Sequence, residues 1–423
     1  MDKPLIKKAA IQSVCLMLSV IMISYIINHY EKVTLAASDI DYVQESTKDS
    51  TSDQVDILQE NDEVNQDSED QLSTNTKVTN VEELKNRISK DIWDKLGDNF
   101  IAIAKPKGDA VTMELKDLYI NKSIQLNFTG LFDQDFVSSS IYRIRENELF
   151  IDEPIYTEIK TTEMDEEDGE AKEVITKDFG NDFCHGIEIT LKEDAAQQNN
   201  AQVLLELDTV YAYLVYEDKN YFYIDLREPS EVYDKILVID PGHGGKDGGA
   251  LSKGEEYFEK NINLEIVLEL KKLLDQENIK VYYTRLSDTT VFLRPRANLA
   301  NAVNCDYFVS IHCNANEVTS PNGTEILYYD KVAKGIDTDD LATLFADEIA
   351  KVTSLEKRGL VKKYPEEIFI MDQSAVPTIL IEVGYLTNNK DMNYLSKAEH
   401  RMAVAQGIYN SIMRAYQELP TAE

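Results

Sequence analysis

Positive charge is in short supply in this 423-residue sequence: 43 Lys and Arg stand against 77 Asp and Glu, a formal net charge of −34. Polyanions are bound by Lys and Arg that displace counterions, so the balance excludes nucleic acid as a partner. It also argues against docking through bulk charge on anionic lipid or anionic wall polymer. Cysteine is scarce, with only Cys15, Cys184, Cys305 and Cys313. The last two flank one predicted strand that would hold them roughly 25 Å apart, beyond disulfide reach. No Cys-x-x-Cys occurs, so neither a disulfide scaffold nor a thiolate zinc site is supported. GxxxxGK[ST] and G-x-G-x-x-G elements are also missing, which argues against a nucleotide site.

One long apolar run is present. Lys3, Lys7 and Lys8 precede AAIQSVCLMLSVIMISYII, Ala9 to Ile27. A basic segment followed by an apolar one directs export with the lysines left inside. Its length is nearer the roughly 20 residues of a spanning helix than the roughly 7–15 of a cleaved signal. Residues 1–32 are therefore expected to anchor the chain in the cytoplasmic membrane with the remainder on the wall-facing side. Cleavage near Thr34-Leu35-Ala36 is the alternative and would leave a secreted protein. Residues 38–79 are rich in Asp, Glu, Ser, Thr and Gln, with Tyr42 the sole aromatic, and read as a disordered acidic spacer.

Residues 80–230 carry a β pattern after a short helical opening, VEELKNRISKDIWDKL. Runs at Phe100–Ala104, Ile124–Phe128 and Gly186–Leu191 alternate apolar and polar residues, as strands with one buried face do. TVYAYLVYE and NYFYIDL, separated by Asp218-Lys219, predict a hairpin, and the acidic stretch Thr161–Glu173 reads as a solvated loop. Cys184-His185 stands alone and is not taken as a ligand pair. A small β-rich, sandwich-like binding domain is the expectation.

From 233 to 420 strands and helices alternate. KILVID, KVYYTR, DYFVSIH, TEILYY and TILIEV are strand candidates, and helical patterns cover Asn261–Gln276, Arg294–Val303, Asp339–Val352 and Ala398–Gln417. This predicts an α/β fold, a mainly parallel sheet with helices on both faces. Ligands in such sheets bind beyond the carboxyl ends of the strands. Of the five histidines, two directly follow strands: His243 in Pro241-Gly242-His243-Gly244-Gly245, and His312 at the end of DYFVSIH. Glu382 ends TILIEV in the same way. Three groups able to bind metal or carry protons thus converge on one sheet edge. Each histidine alone reads more simply as a hydrogen-bonded structural residue; the convergence argues otherwise.

The runs ILVIDPGHGGKDGGA, EKNINL, VYYTRLSD with RPRANLAN, DYFVSIHCNAN and PTILIEVGYLTN resemble, in order, the motifs of the zinc-dependent N-acetylmuramoyl-L-alanine amidases. The resemblance covers about Lys235 to Tyr416. It implies one Zn2+ held by His243, Glu259 and His312, with Glu382 as the catalytic acid–base. Two imidazoles and one carboxylate leave a fourth position open, as catalytic zinc sites do. Glu259 is chosen over Glu255 and Glu256 because it opens a predicted helix and matches EK-x-x-NL; favourable placement at a helix N-terminus is its plainer reading.

Asp240 is a candidate for orienting His243, with ordinary turn chemistry as the alternative. Arg285, Arg294 and Arg296 read as structural ion-pair residues or as contacts for an acidic peptide stem. Cys313 is expected in the core, on the opposite face from His312. Some members of the family carry a long helix between the second His and the catalytic Glu that plugs the site. Here that interval holds only TEILYY, one helix and a charged loop around Leu355–Glu367, so no plug is expected. The β-rich region, through its strand pattern and YFYIDLREP ending, resembles the wall-targeting domains called AMIN.

The implied activity is hydrolysis of the amide bond between N-acetylmuramic acid and L-alanine, with peptidoglycan as partner; no protein activator is identifiable. A zinc peptidase or deacylase on another substrate is a second reading. A wall-binding protein with a silent catalytic domain is a third.

Overall fold

The computed structural model describes residues 80–419, apart from 106–107, 133–140, 146–147, 151–156, 165–170, 181, 194–198 and 255. The expected membrane segment 1–32 and acidic spacer 38–79 lie outside these residues. Among the described residues no helix is long and apolar enough to cross a membrane.

Two short helices open the described chain, α1 (Val81–Lys85) and α2 (Lys90–Trp93). Each starts where a side chain accepts an otherwise unpaired backbone N–H, Asn80 from Glu83 and Ser89 from Ile92. Eleven strands follow: β1 (Asn99–Ala104), β2 (Gly108–Leu118), β3 (Ser123–Phe132), β4 (Ile141–Arg145), β5 (Glu148–Phe150), β6 (Thr157–Met164), β7 (Ala171–Asp178), β8 (Cys184–Glu193), β9 (Asn199–Leu207), β10 (Ala212–Glu217) and β11 (Tyr221–Arg227). They form two antiparallel sheets, ordered β10-β11-β1-β4-β5 and β2-β3-β9-β8-β7-β6. Ile101, Ile103 and Ile224 of the first sheet share one core with Leu126, Ile189 and Val203 of the second. Leu84 and Ile88 cover the outer face of the first sheet over Phe100, Tyr142 and Tyr223.

The expected hairpin around Asp218 is present, as β10 paired with β11. The acidic stretch read as a loop is strand at both its ends, where Thr161–Met164 pairs with Ala171–Val174 as the end of the β6–β7 ladder; residues 165–170 lie outside the described ones. Backbone pairing in a hairpin needs no apolar side chains, so composition alone hid it. The turn between β2 and β3 is a short 3₁₀ segment, Tyr119–Asn121.

Helix α3 (Pro229–Val232) leads into the α/β region. Its strands are β12 (Ile236–Pro241), β13 (Lys280–Tyr283), β14 (Tyr307–Asn314), β15 (Thr324–Tyr329), the two-residue β16 (Val332–Ala333) and β17 (Ile336–Asp337), β18 (Lys357–Lys363) and β19 (Thr378–Tyr385). Its helices are α4 (Glu259–Leu274), α5 (Leu293–Ala302), α6 (Thr338–Val352), α7 (Phe369–Asp372), α8 (Asn389–Leu395) and α9 (Ala398–Glu418). The main sheet runs β13-β12-β14-β19-β15-β18.

This sheet is mixed. β13, β12, β14 and β19 are mutually parallel, but β15 pairs antiparallel to β19 and carries β18 parallel to itself. β18 falls within the segment read as a charged loop. Its lysines and Arg358 point outward on an edge strand, where charge deters further pairing. Leu360 and Val361 meanwhile pack to opposite faces.

Period-two alternation assigns the faces. Leu237, Ile239, Val309, Ile311, Ile379 and Ile381 pack under α4, α6 and α9. Val238, Phe308 and Leu380 pack on the other side, with Leu299 and Ala300 of α5 and Ile370 and Met371 of α7. Tyr119 and Ile120 of the β-rich part join this second core. All described residues fall in one compact unit.

Helix α9 crosses α6 closely at Gly407, where an added Cβ would lie 2.9 Å from Ile349 Cα and 3.0 Å from Val352 Cγ2. Alanine would raise helix propensity by about 1 kcal/mol, against an overpacking cost of about 1–3 kcal/mol. Gly407→Ala is therefore expected to lower the stability of the α/β region by about 1 kcal/mol, measurable in a urea unfolding midpoint.

Candidate metal centre

On the α5 side of the sheet the alternate residues change character along each strand. They read Val238 then Asp240 on β12, Phe308 then Ser310 and His312 on β14, Leu380 then Glu382 on β19, and Tyr282 then Thr284 at the end of β13. Apolar side chains fill the middle of the sheet and polar ones reach its carboxyl edge. β15 runs the other way, so Glu325 near its start arrives at the same edge, beside Glu382. His312 flanks Glu382 on the opposite side.

His243 lies just beyond β12 in the left-handed backbone region, φ +62°. A non-glycine residue there costs on the order of 1 kcal/mol, so something must hold it. Two buried arginines do. Arg296 donates from Nη2 to the His243 carbonyl (2.7 Å) and from Nη1 to the Pro241 carbonyl (2.9 Å). Arg285 donates from Nε to the Pro241 carbonyl (3.0 Å) and from Nη2 to the Gly242 carbonyl (2.9 Å).

Asp240 neutralises this cluster, accepting Arg296 Nη1 at 2.6 Å, Thr284 Oγ1 at 2.5 Å and Ser310 Oγ at 2.7 Å. Burial alone would raise the Asp240 carboxyl, but Arg296 and the two hydroxyls outweigh it and hold it below the ordinary aspartate range. Asp240 therefore does not orient the His243 ring as expected; it anchors the arginine that holds the His243 backbone. Arg285 and Arg296 are spent on carbonyls and on each other's surroundings, and only Arg294 of the three is exposed.

The imidazoles and Glu259 meet at this edge of the sheet. His243 Nε2 is 3.1 Å from Glu259 Oε2, and His312 Nδ1 is 2.8 Å from Glu259 Oε1. One ligand atom from each residue lies within 4.8 Å of the others, and this is the one His/Cys/Asp/Glu grouping of that kind found among the described residues. The Glu259 side chain is 4% exposed, whereas those of His243 and His312 are 24% and 19% exposed, so the rings are the part of the group that solvent reaches.

Glu259 begins α4, and its carboxylate also accepts the backbone N–H groups of Ala250 (2.8 Å) and Cys313 (3.0 Å). Burial opposes ionisation, but the hydrogen bonds from His243 and His312 overcome it and hold the carboxyl far below its usual value. His243 shows the counterpart: burial would lower it, but Glu259 and Asp247 push it up to about 9.

Asp247 was not singled out from sequence, although it sits four residues after His243 in the same motif. Its Oδ2 lies 2.8 Å from His243 Nδ1, the contact that sets which ring nitrogen is left for a metal. Asn263, also unremarked within EKNINL, donates to Glu259 Oε1 at 3.3 Å. Gly242 makes room for the His312 ring: a Cβ there would be 2.2 Å from His312 Cε1.

Glu382 is half-buried, and its Oε2 is fully buried without a hydrogen-bond partner among the described residues. Burial, reinforced by Glu259 and Glu325 and opposed by His312, pushes its carboxyl up to about 7. Glu325 is itself tied down by Arg358 Nε (2.6 Å) and by the Tyr385 hydroxyl (2.9 Å).

The remaining sequence candidates lie elsewhere. Cys313 is buried in the core with a free thiol, and Cys184 and Cys305 are likewise free. His400 stacks on Tyr394 at 3.9 Å, His185 is half-buried near Glu206, and Glu256 is exposed. His29 and Glu255 lie outside the described residues. Helix α6 buries its apolar face in the core, and the interval from Cys313 to Ile381 holds no other helix but α7.

Two imidazoles, one carboxylate and an unpaired buried carboxyl oxygen beside them suit a zinc ion with three protein ligands. The ordered N–H donors behind Glu259 and the Asp247 contact behind His243 supply the outer support such sites use.

Comparison with known proteins places residues 237–414 in the family described as N-acetylmuramoyl-L-alanine amidase (Amidase_3). The chain is 32% identical over 198 residues to the germination-specific N-acetylmuramoyl-L-alanine amidase of Bacillus subtilis (strain 168), covering 44% of this chain and 81% of that protein. It is 31% identical over 192 residues to N-acetylmuramoyl-L-alanine amidase LytC of the same organism, covering 45% of this chain but only 37% of LytC. Among solved structures, the crystal structure of N-acetylmuramoyl-L-alanine amidase from Clostridium difficile 630 matches at 32% identity and TM-score 0.41, over 44% of this chain and 98% of that one.

Two outcomes follow from the packing. Gly242→Ala is expected to weaken zinc binding at least about 10-fold in a chelator competition, with every ligand side chain unchanged. Asp240→Asn is expected to destabilise the fold by about 3–5 kcal/mol at neutral pH, because Arg296 is left buried and unpaired. Since the folded Asp240 carboxyl is depressed, its contribution is complete above the unfolded value of about 3.9 and is lost as pH falls below it. The gap between variant and wild type in unfolding free energy should therefore close on acidification.

Proposed function

The chain belongs to the N-acetylmuramoyl-L-alanine amidase family, and from this we propose that it hydrolyses the amide bond between N-acetylmuramic acid and the L-alanine of the peptidoglycan stem peptide. The observation that carries the reading is the carboxyl edge of the sheet, where His243, Glu259 and His312 converge with the unpartnered Glu382 carboxyl next to them.

In this reading His243, Glu259 and His312 hold one zinc ion. Bound there, it would supply a Lewis acid that polarises the scissile carbonyl and lowers the pKa of a water from 15.7 toward about 7. Glu382 takes the proton that the attacking water must lose and delivers it to the alanine nitrogen as the C–N bond breaks. Water is thereby divided between the new muramyl carboxylate and the new amine. A carboxyl pushed up to about 7 by burial suits such a shuttle, because both of its forms are accessible near neutral pH. Asp247 keeps the His243 ring oriented, and Arg285 and Arg296 hold its backbone.

The reading extends to placement. The basic and then apolar pattern of Lys3 to Ile27 supports export and retention at the cytoplasmic membrane, with the catalytic region on the wall-facing side. The β-rich part would serve as the wall-contacting region. With α6 committed to the core, the catalytic region would be controlled by where the protein is held or by the β-rich part.

Glu382→Gln, an isosteric change, tests the chemistry. Wild-type protein with zinc is expected to release stem peptides bearing a free L-alanine amino group, identified by mass spectrometry. The variant should retain one equivalent of zinc while kcat falls about 10²–10⁴-fold. Cleavage at another bond would transfer the reading to a peptidase or deacylase. Zinc binding without turnover by wild type on any wall substrate would favour a binding protein.

A further inference from the structure

We propose that Tyr119, from the β-rich part, is a positioning residue for the metal centre: its hydroxyl caps the end of β13 and so holds the strand from which the His243 loop is clamped. The proposal rests on the zinc-amidase reading for its zinc-affinity and kinetic readouts, and its amide-exchange readout is independent of that reading.

The Tyr119 hydroxyl accepts the Tyr283 N–H at 3.0 Å and donates to the Tyr283 carbonyl at 2.9 Å. β13 is an edge strand, paired only with β12 in its sheet. The Tyr119 hydroxyl thus supplies Tyr283 with the donor and acceptor that a neighbouring strand would otherwise provide. The ring packs edge-on to Tyr282 with centroids 5.0 Å apart, and Ile120 sits in the same core. The turn Tyr119–Asn121 also packs against α5.

The next two residues after the capped one belong to the clamp. Thr284 donates to Asp240, and Arg285 donates to the Pro241 and Gly242 carbonyls. Helix α5, which the same turn touches, carries Arg296, the donor to the His243 carbonyl. One turn of the β-rich part therefore abuts both elements whose arginines keep His243 in its left-handed conformation. A looser β13 end would let Arg285 retreat and the Gly242–His243 carbonyls follow, with the ligand side chains unaltered.

The test uses the whole chain loaded with zinc and compares wild type, Tyr119→Phe and Thr112→Val. The Phe variant keeps the ring packing and removes both hydroxyl bonds. Thr112→Val removes an exposed Thr112–Thr129 hydroxyl contact in the same β-rich part, away from the turn. Tyr119→Phe is expected to speed amide exchange at Thr284 and Arg285, to weaken zinc in chelator competition by roughly 10-fold, and to lower kcat on a soluble muropeptide by a similar factor with KM nearly unchanged. Thr112→Val should match wild type in all three. A Tyr119→Phe protein with a lower thermal midpoint but wild-type exchange, zinc affinity and kcat would overturn the proposal and leave the contact merely structural. Exchange can be read without substrate or metal and zinc affinity without substrate, so exchange at Thr284 and Arg285 decides the matter even if the muropeptide proves not to be cleaved.

Discussion

A carboxylate taken out of water must be matched by charge or hydrogen bonds, and the arrangement of this α/β region follows from meeting that demand at Glu259. Two imidazoles face its oxygens, two backbone N–H groups close from behind, and it sits at the positive end of α4. Together they hold it ionised despite burial. The same contacts bring one carboxylate and two ring nitrogens together, so stabilising the buried charge also assembles a group able to hold a metal.

Keeping the imidazoles there requires a backbone that would not hold itself. His243 adopts a conformation that favours glycine, and Gly242 must lack a Cβ because the His312 ring occupies that space. The compensation is electrostatic and remote in sequence. Arg285 and Arg296 bind three successive carbonyls of the turn, and Asp240 balances their charge from within the sheet. Two arginines buried side by side repel, and burial with Arg296 nearby draws Arg285 down to about 10, still well protonated at neutral pH. The His243 backbone is therefore positioned by contacts that involve neither ligand side chains nor substrate.

Much of this was readable from residues alone, because period-two alternation places His312 and Glu382 at strand ends without knowledge of the fold. The α/β order and the four long helices followed from the same patterns. Three features were not readable, each for a physical reason. The reversed direction of β15 depends on long-range pairing that leaves no mark on TEILYY itself. β18 and β6 are edge strands whose sequences are rich in charged residues, so composition suggested loops where hydrogen bonding made strands. Asp240, Arg285 and Arg296 have chemistry suited to substrate, and only their burial shows that they serve the backbone instead. Tyr119 acts through a contact with Tyr283 that a linear reading does not bring near it, whereas Asp247 lies four residues from His243 and only the geometry of the turn shows its carboxylate against the ring.

The claim on which the rest depends is that the three strand- and helix-end residues form one metal site with a position left open. Zinc K-edge X-ray absorption on the full chain carrying one equivalent of zinc addresses it directly. A first shell of two imidazole nitrogens, oxygen from one carboxylate and one exchangeable light atom is the expected result, with an imidazole lost in His243→Ala and in His312→Ala. A sulfur scatterer, a shell unchanged in both variants, or failure to retain zinc at all would contradict it.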